Sequence, residues 1–330
     1  MTERALGPEI GDVRLLHDFW ASRTFRAGAV PLPLPQARIL LDTIGIGIEQ
    51  VAVRLRDRPD FSAFVDWILA TAGPPDAEKV ARYHAWLDGD AMPPATRDRL
   101  AAIDAMPDVL GAGQMAEWAA DGVVVLRNAI TPDQARAAEQ LLWRHLGAAP
   151  DDPATWYGRA TQGIMFQFYQ VPEMEAARRS LRVHKAFAQL FGTADLWTTT
   201  DRLSFNPPVT PERPFPGPHL HWDTSLALPI PLSLGGILYL TDTAADQGAL
   251  QVVRGFHRRI EPWLAEIGDA DPRLADFSAE ATTVPGQAGD LVIWRNEIPH
   301  GASANRTTRP RLAQYVTMYP PDWVEHDEWR

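Results

Sequence analysis

Between Gly217 and Leu226 the chain reads GPHLHWDTSL, which places two histidines and an aspartate within five residues. In an extended segment residues i and i+2 share a face. His221 and Asp223 therefore project together, Trp222 points away, and a strand already regular at 219 adds His219 to the polar face. A neutral imidazole beside a carboxylate supplies two ligands for a hard or borderline divalent cation and needs a third from elsewhere. His300 is the candidate. It stands in GDLVIWRNEIPHGASANRTTRPRLAQY, after a strand pattern and the turn-forming Pro299, where a loop can return it to the pair. Two histidines and one carboxylate on one side of Fe(II) leave three positions open for a cosubstrate and oxygen. Taken alone, H-x-D fits a satisfied surface or core pair just as well.

Eleven residues beyond His300, Arg311 opens RLAQYVTMY, the last strongly strand-like segment. A 2-oxo acid chelating a metal carries its distal carboxylate several bonds away, and a guanidinium on a neighbouring strand can clamp it with two parallel hydrogen bonds. Arg306 and Arg309 compete for that role, and an ordinary rim salt bridge is the plain alternative. Arg311 has the better claim because a strand holds a clamp more rigidly than a loop.

Positioning these groups falls to a β-rich stretch that begins near residue 164. Strand patterns occupy 164–170, 196–205, 219–226, 235–242, 249–255, 290–295 and 311–319, separated by Pro- and Gly-rich turns. Such spacing predicts a sandwich or barrel with antiparallel pairing. One long helix over 172–192 is expected to brace a face. Upstream, 123–127 reads as a strand leading into a helix with Thr131 as N-cap, Pro132 at the first helical position and Gln134 completing a capping box. Residues 36–55, 61–72, 76–88 and 95–106 carry helical spacing between proline and glycine breaks, and GAGQMA at 111–116 reads as a linker. The expected organisation is an α+β chain: a helical region over 1–112, packing on the remainder or forming a homo-oligomer, and a second domain over 113–330.

Composition narrows the chemistry. The 330 residues include no cysteine, which removes disulfides, thiolate metal sites, thiol nucleophiles and iron–sulfur clusters together. A net charge of -11 and the absence of a basic run argue against nucleic acid or an anionic membrane as partner. No uncharged apolar run approaches membrane-spanning length, and the first 20 residues lack the apolar core of a signal peptide, so a cytoplasmic location is expected. A nucleophile elbow, a phosphate-cradling loop, a dinucleotide fingerprint and H-E-x-x-H are all missing.

Taken jointly, the pattern resembles the phytanoyl-CoA dioxygenase family of non-haem Fe(II)/2-oxoglutarate oxygenases, over roughly residues 115–320. DGVVVLRNAITPDQ is similar to the family's opening, His221-x-Asp223 to its ligand pair, and DQGALQVVRGFHRR (246–259) to its G-x-L-x-x-x-x-G-S-H segment. GDLVIWRNEIPHGASANRTTRPR is similar to the run G-D-x-x-x-F, H-G-S, N-x-[ST] and R. The resemblance implies a double-stranded β-helix (jelly-roll, cupin-like) core, iron on His221, Asp223 and His300, and 2-oxoglutarate clamped by Arg311. It further implies oxidation, with hydroxylation the leading outcome, of a C–H bond in a small organic substrate by O2, releasing succinate and CO2. Asn206 stands where the family has an amide near the cosubstrate, with Arg202 and Ser204 on the same strand face; Ser303 follows Ala302, which replaces the family's serine. Gly255-Phe256-His257 keeps the histidine of G-S-H but not the serine. Because Asp223 is retained, no ligand position is vacated for a halide, which favours hydroxylation over halogenation.

His219, Gln167, Tyr169, His257, Trp294, Asn296 and Tyr319 are candidates to line a substrate cavity. Asn296 or Thr224 is expected to fix the histidine tautomers. FNPPVTPERPFPGPH (205–219) reads as a loop over the site that can act as a lid. The rival from another class is a cupin-like metal protein, an isomerase, hydrolase or ligand sensor, that does not use 2-oxoglutarate.

Overall fold

The computed structural model describes residues 10–158, 163–215, 217, 220–324, 326 and 328–330. His219 lies outside the described residues. In chain order the helices are α1 (Leu16–Arg23), α2 (Leu34–Thr43), α3 (Ile48–Leu55), α4 (Phe61–Ala72), α5 (Ala77–Asp88), α6 (Pro94–Asp104), α7 (Ala112–Asp121), α8 (Pro132–Leu146), α9 (Pro172–Arg178), α10 (Leu181–Phe191) and α11 (Ile260–Ile267). The strands are β1 (Val123–Leu126), β2 (Met165–Phe166), β3 (Trp197–Thr198), β4 (Leu203–Asn206), β5 (Leu234–Tyr239), β6 (Leu250–Val252), β7 (Thr282–Val284), β8 (Leu291–Arg295), β9 (His300–Ala302), β10 (Arg311–Tyr315) and β11 (Met318–Tyr319). No helix among the described residues is long and apolar enough to cross a membrane.

Six strands form one antiparallel sheet in the order β1-β8-β5-β10-β4-β2, and three form a second in the order β7-β6-β9. Alternation along the larger sheet divides its side chains cleanly. Leu203, Phe205, Leu238, Leu291, Ile293 and Leu312 face a core built with α6, α8 and α10. Val123, Ile237, Tyr239, Val292, Trp294 and Ala313 face the opposite way and share a core with Leu250, Val252 and Val284 of the smaller sheet. Both faces of the larger sheet are thus buried, one by helices and one by strands. Polar residues whose parity points them at the second sheet must find partners inside, since an unpaired buried polar group costs roughly 1–3 kcal/mol.

The region from α1 to α5 has a core of its own, closed by Trp197 and Tyr319 from the short β3–β11 pair. Asp42 of α2 fastens this joint: its carboxylate accepts the Thr200 N–H at 2.9 Å and the Tyr319 hydroxyl at 2.7 Å. α6 places Leu100 and Ile103 in the helix-side core of the larger sheet.

Several expected elements differ. The single helix over 36–55 is α2 and α3, divided at Gly45, whose φ of 70° is left-handed. The helix over 172–192 is α9 and α10, divided where Ser180 caps α10 by accepting from the Val183 N–H. The linker at 111–116 is the start of α7: Gln114 accepts the Gly111 N–H at 3.0 Å and Trp118 is buried in the core. Of the strand expected over 219–226, the described residues 220–226 keep a single bridge at His221, and the chain bends at Asp223. The capping box of α8 stands as read, with Thr131 and Gln134 bonded reciprocally.

Candidate metal centre

His221 and His300 form a hydrogen-bonded antiparallel pair, with N–H···O distances of 2.9 and 3.0 Å in the two directions. Directly opposed residues present their side chains to the same face, so the bridge brings two imidazoles together with centroids 4.8 Å apart. Asp223, two residues on, still shares the face of His221, while Trp222 turns into the core against Phe256, Trp263 and Phe277. One Asp223 oxygen lies 3.4 Å from His221 Nε2 and the other 3.2 Å from His300 Nε2. One ligand atom from each of the three lies within 4.8 Å of the other two, close enough to share a single ion. Burial pushes the Asp223 carboxyl up, but its hydrogen bonds and charge interactions with the two imidazoles prevail and hold it well below the usual carboxylate range. The carboxylate form that a metal needs is therefore the resident one.

Tautomer control comes from a source the sequence did not suggest. His300 Nδ1 is 3.0 Å from the carbonyl of Ile298. A carbonyl only accepts, so Nδ1 carries a proton, and Nε2, 3.2 Å from an Asp223 oxygen, is the nitrogen left to face that carboxylate or to give up its own proton to a metal. Asn296 bonds Ser233 Oγ at 3.1 Å instead, and Thr224 contributes its backbone carbonyl to Arg273. The Trp294 ring lies against His300 with centroids 5.0 Å apart, fixing the inner side of the imidazole. The cluster opens toward solvent through Asp223, whose side chain is 59% exposed against 3% for His300.

Deeper between the sheets, Arg311 is fully buried. It pairs in register with Asn206 across β10 and β4. Its Nε donates to the Gly248 carbonyl at 3.1 Å and Nη1 to Ser204 Oγ at 2.9 Å, while Nη2 has no hydrogen-bond partner among the described residues. No carboxylate pairs with this guanidinium among the described residues. A buried cation with one nitrogen unsatisfied is the arrangement expected where a carboxylate ligand completes the set. Asn206 and Ser303 belong to the same floor: Asn206 donates to the Ser303 carbonyl at 2.9 Å, and the Ser303 hydroxyl donates to Ala249 O. Arg202 sits apart, ion-paired with Asp201 at 3.3 Å and lining a small recess with Tyr169, Asp42 and Glu49.

The remaining candidates divide. Gln167 is exposed and accepts the Tyr169 hydroxyl at 2.6 Å. His257 packs over Gly122, whose φ of 73° and missing Cβ make room for the ring, with Nε2 3.3 Å from Ala119 O. Tyr319 is committed to Asp42 in the N-terminal core. Tyr315 escaped the sequence reading. It shares the inward face of β10 with Arg311 and hydrogen-bonds Ser204, and burial pushes its hydroxyl up against the pull of Arg311. Strand parity from Arg311 was the available signal.

Two histidines and an aspartate converge between antiparallel sheets, and the inner face of the larger sheet carries a buried guanidinium with one nitrogen unpartnered among the described residues: together a candidate site for a metal and an anionic cosubstrate. The chain belongs to the phytanoyl-CoA dioxygenase family, whose profile matches residues 118–313. A provisionally named phytanoyl-CoA dioxygenase of Dictyostelium discoideum is 26% identical over 101 residues, and the match spans 28% of this chain and 29% of that relative. Among solved structures the chain is similar to HygX of Streptomyces hygroscopicus, crystallised with nickel and 2-oxoglutarate (16% identity, 66% of this chain and 90% of that one, TM-score 0.48). It is also similar to EvdO2 of Micromonospora carbonacea var. aurantiaca (20%, 68% and 97%, 0.47) and to the α-ketoglutarate-dependent epimerase SnoN of nogalamycin biosynthesis (18%, 69% and 82%, 0.45). The oxygen and nitrogen donors of the His–Asp–His cluster suit iron, and the free guanidinium nitrogen suits a dicarboxylate. Iron and 2-oxoglutarate are the cofactor and cosubstrate of this enzyme class.

Proposed function

We propose that this chain is an Fe(II)- and 2-oxoglutarate-dependent dioxygenase that hydroxylates a C–H bond of a small organic metabolite, on a double-stranded β-helix formed by the two larger sheets. In this reading residues 113–330 carry the chemistry and 1–112 form an accessory helical region. His221, Asp223 and His300 hold the iron; Arg311 receives the distal carboxylate of 2-oxoglutarate, with Ser204, Asn206 and Ser303 shaping its floor. Bound together, iron and 2-oxoglutarate would supply the means of activating O2, one oxygen atom going to the oxo acid as it becomes succinate and CO2 and the other to the substrate C–H bond. The chain's own contribution is positional. Ile298 holds the proton on His300 Nδ1, Asp223 stays ionised, and the apolar walls from Trp294 to Ala313 keep water from the buried floor.

The observation that carries the proposal is the pairing of a three-ligand cluster with a buried guanidinium that lacks a carboxylate partner. Metal content and substrate-independent release of succinate from 2-oxoglutarate, compared between wild type and Asp223→Ala, test it. Stoichiometric iron and slow succinate release in the wild type, both lost in the variant, are expected. Equal succinate release from the two proteins would refute it.

A further inference from the structure

Asp223 lies beyond the bridge at His221, where the chain has left the sheet. Among the described residues, no backbone hydrogen bond of the strand type holds 222–225. A ligand carboxylate on such a segment would swing unless something else fixed its backbone. The substitute is Arg273, from the short turn Pro272–Leu274, itself held by its N–H on the Asp271 carboxylate at 2.9 Å. Its Nη1 donates to the carbonyl of Trp222 at 3.1 Å and its Nη2 to that of Thr224 at 2.9 Å. Both carbonyls are turned toward the same guanidinium, so its two arms can take the place of a missing neighbour strand. The residues it grips are the two that flank Asp223.

A second segment closes the arrangement. Arg273 Nη2 also donates to the Arg330 carbonyl at 2.9 Å, which accepts the Leu226 N–H at 3.1 Å. Ser225 Oγ donates to Glu328 O at 2.7 Å. The guanidinium stacks over Trp329, 4.9 Å from the ring centroid.

We propose that Arg273 is a positioning residue for the metal centre: by pinning the carbonyls on both sides of Asp223 it presets the carboxylate's direction and so sets metal affinity. This rests on the reading that Asp223 is an iron ligand. Partners one bond removed from a ligand are worth about 10–100-fold in metal affinity, and Arg273 acts at that remove through the backbone.

The test measures Co(II) affinity, by titration of its visible absorption, for full-length wild type and Arg273→Met, Arg273→Lys, Trp329→Ala and Asp223→Ala, with metal-free thermal midpoints alongside. Expected are at least tenfold weaker binding in Arg273→Met, partial recovery in Arg273→Lys, which can hold one carbonyl, and a smaller loss in Trp329→Ala, which removes the stack on the guanidinium but neither bond to the carbonyls flanking Asp223. Affinity within twofold of wild type in folded Arg273→Met, or in Arg273→Lys if the methionine variant does not fold, overturns the role of Arg273. Equal losses in Arg273→Met and Trp329→Ala that track their midpoints also overturn it, since general loosening then suffices. Undiminished binding in Asp223→Ala overturns the metal-site reading itself, and this proposal with it.

Discussion

Replacing Arg311 with methionine separates two roles that a buried arginine can play. In the ligand-free protein its guanidinium makes two hydrogen bonds, to Gly248 O and Ser204 Oγ, and meets no carboxylate among the described residues. Charged hydrogen bonds contribute about 1.5–3 kcal/mol each, while holding the cation away from water costs several kcal/mol. The two nearly cancel, so Arg311→Met is expected to change unfolding free energy by no more than about 2 kcal/mol. Ser204 keeps a partner in the Ile164 carbonyl at 2.7 Å. Binding should respond very differently. Removing one partner of a buried charge pair costs about 2–5 kcal/mol, which is about 30-fold or more in affinity. Anaerobic calorimetric titration of 2-oxoglutarate into the Mn(II)-loaded proteins reads this, with urea denaturation as the stability control. A variant that binds 2-oxoglutarate within threefold of wild type, or that loses more than about 4 kcal/mol of stability, would refute the reasoning and make Arg311 a structural residue.

Gly236→Ala tests the sheet behind the site. A Cβ there would stand 2.1 Å from the Val316 carbonyl oxygen, a backbone atom that can yield only by parting β5 from β10. A loss of at least about 3 kcal/mol by urea denaturation is expected, at the upper end of overpacking costs; a loss under 0.5 kcal/mol would contradict the close approach. His184→Gln tests pH linkage. Burial holds the His184 imidazole below its ordinary 6.5, against the bond to Ala194 O at 2.8 Å, so the unfolded chain binds the extra proton more readily. Stability contributed by this residue is complete above pH 6.5 and is lost as pH falls below it; between pH 7.5 and 5.5 the variant should lose less than the wild type. His221→Ala should weaken Co(II) binding by at least tenfold with the thermal midpoint of the metal-free protein nearly unchanged, because that side chain is partly exposed.

The convergence of His221, Asp223 and His300 into a candidate metal cluster was legible because each of its parts carries a local signal. H-x-D places two groups on one side whether the segment is a full strand or, as here, a single bridge followed by a bend, since only three residues need be extended. Arg311 was legible from parity on a strand that forms. The failures have a common cause, which is that local patterns do not register competing caps or distant partners. Ser180 looks like a tolerable helix residue over 172–192, yet its hydroxyl is worth more as an N-cap, and the helix divides there. Gly111 and Gly113 look like linker, yet Gly111 serves as the N-cap and burial of Trp118 outweighs the helix cost of Gly113, at most about 1 kcal/mol. Arg273, 50 residues from Asp223 and amid acidic, proline-containing sequence, offers no signal of any kind; only the fold brings it to the carbonyls of 222 and 224.

The two ends of the candidate site are built to different standards, and the sheet explains why. Arg311, Ser204 and Asn206 stand on strands paired on both edges, β10 between β5 and β4, and β4 between β10 and β2. Their positions are fixed by ladders that would form with or without a ligand. The metal end stands where the strands stop: His300 opens β9, His221 is one bridge, and Asp223 sits at the bend. There the backbone must be secured by groups from outside the ladder, and Ile298 O, the Trp294 ring and the Arg273 guanidinium are those groups. Ligand ends of strands gain access to solvent and substrate in return for losing ladder support. Substitutions at the floor should therefore act on cosubstrate affinity far more than on stability, whereas substitutions around the metal should act on ligand geometry first and on fold stability last.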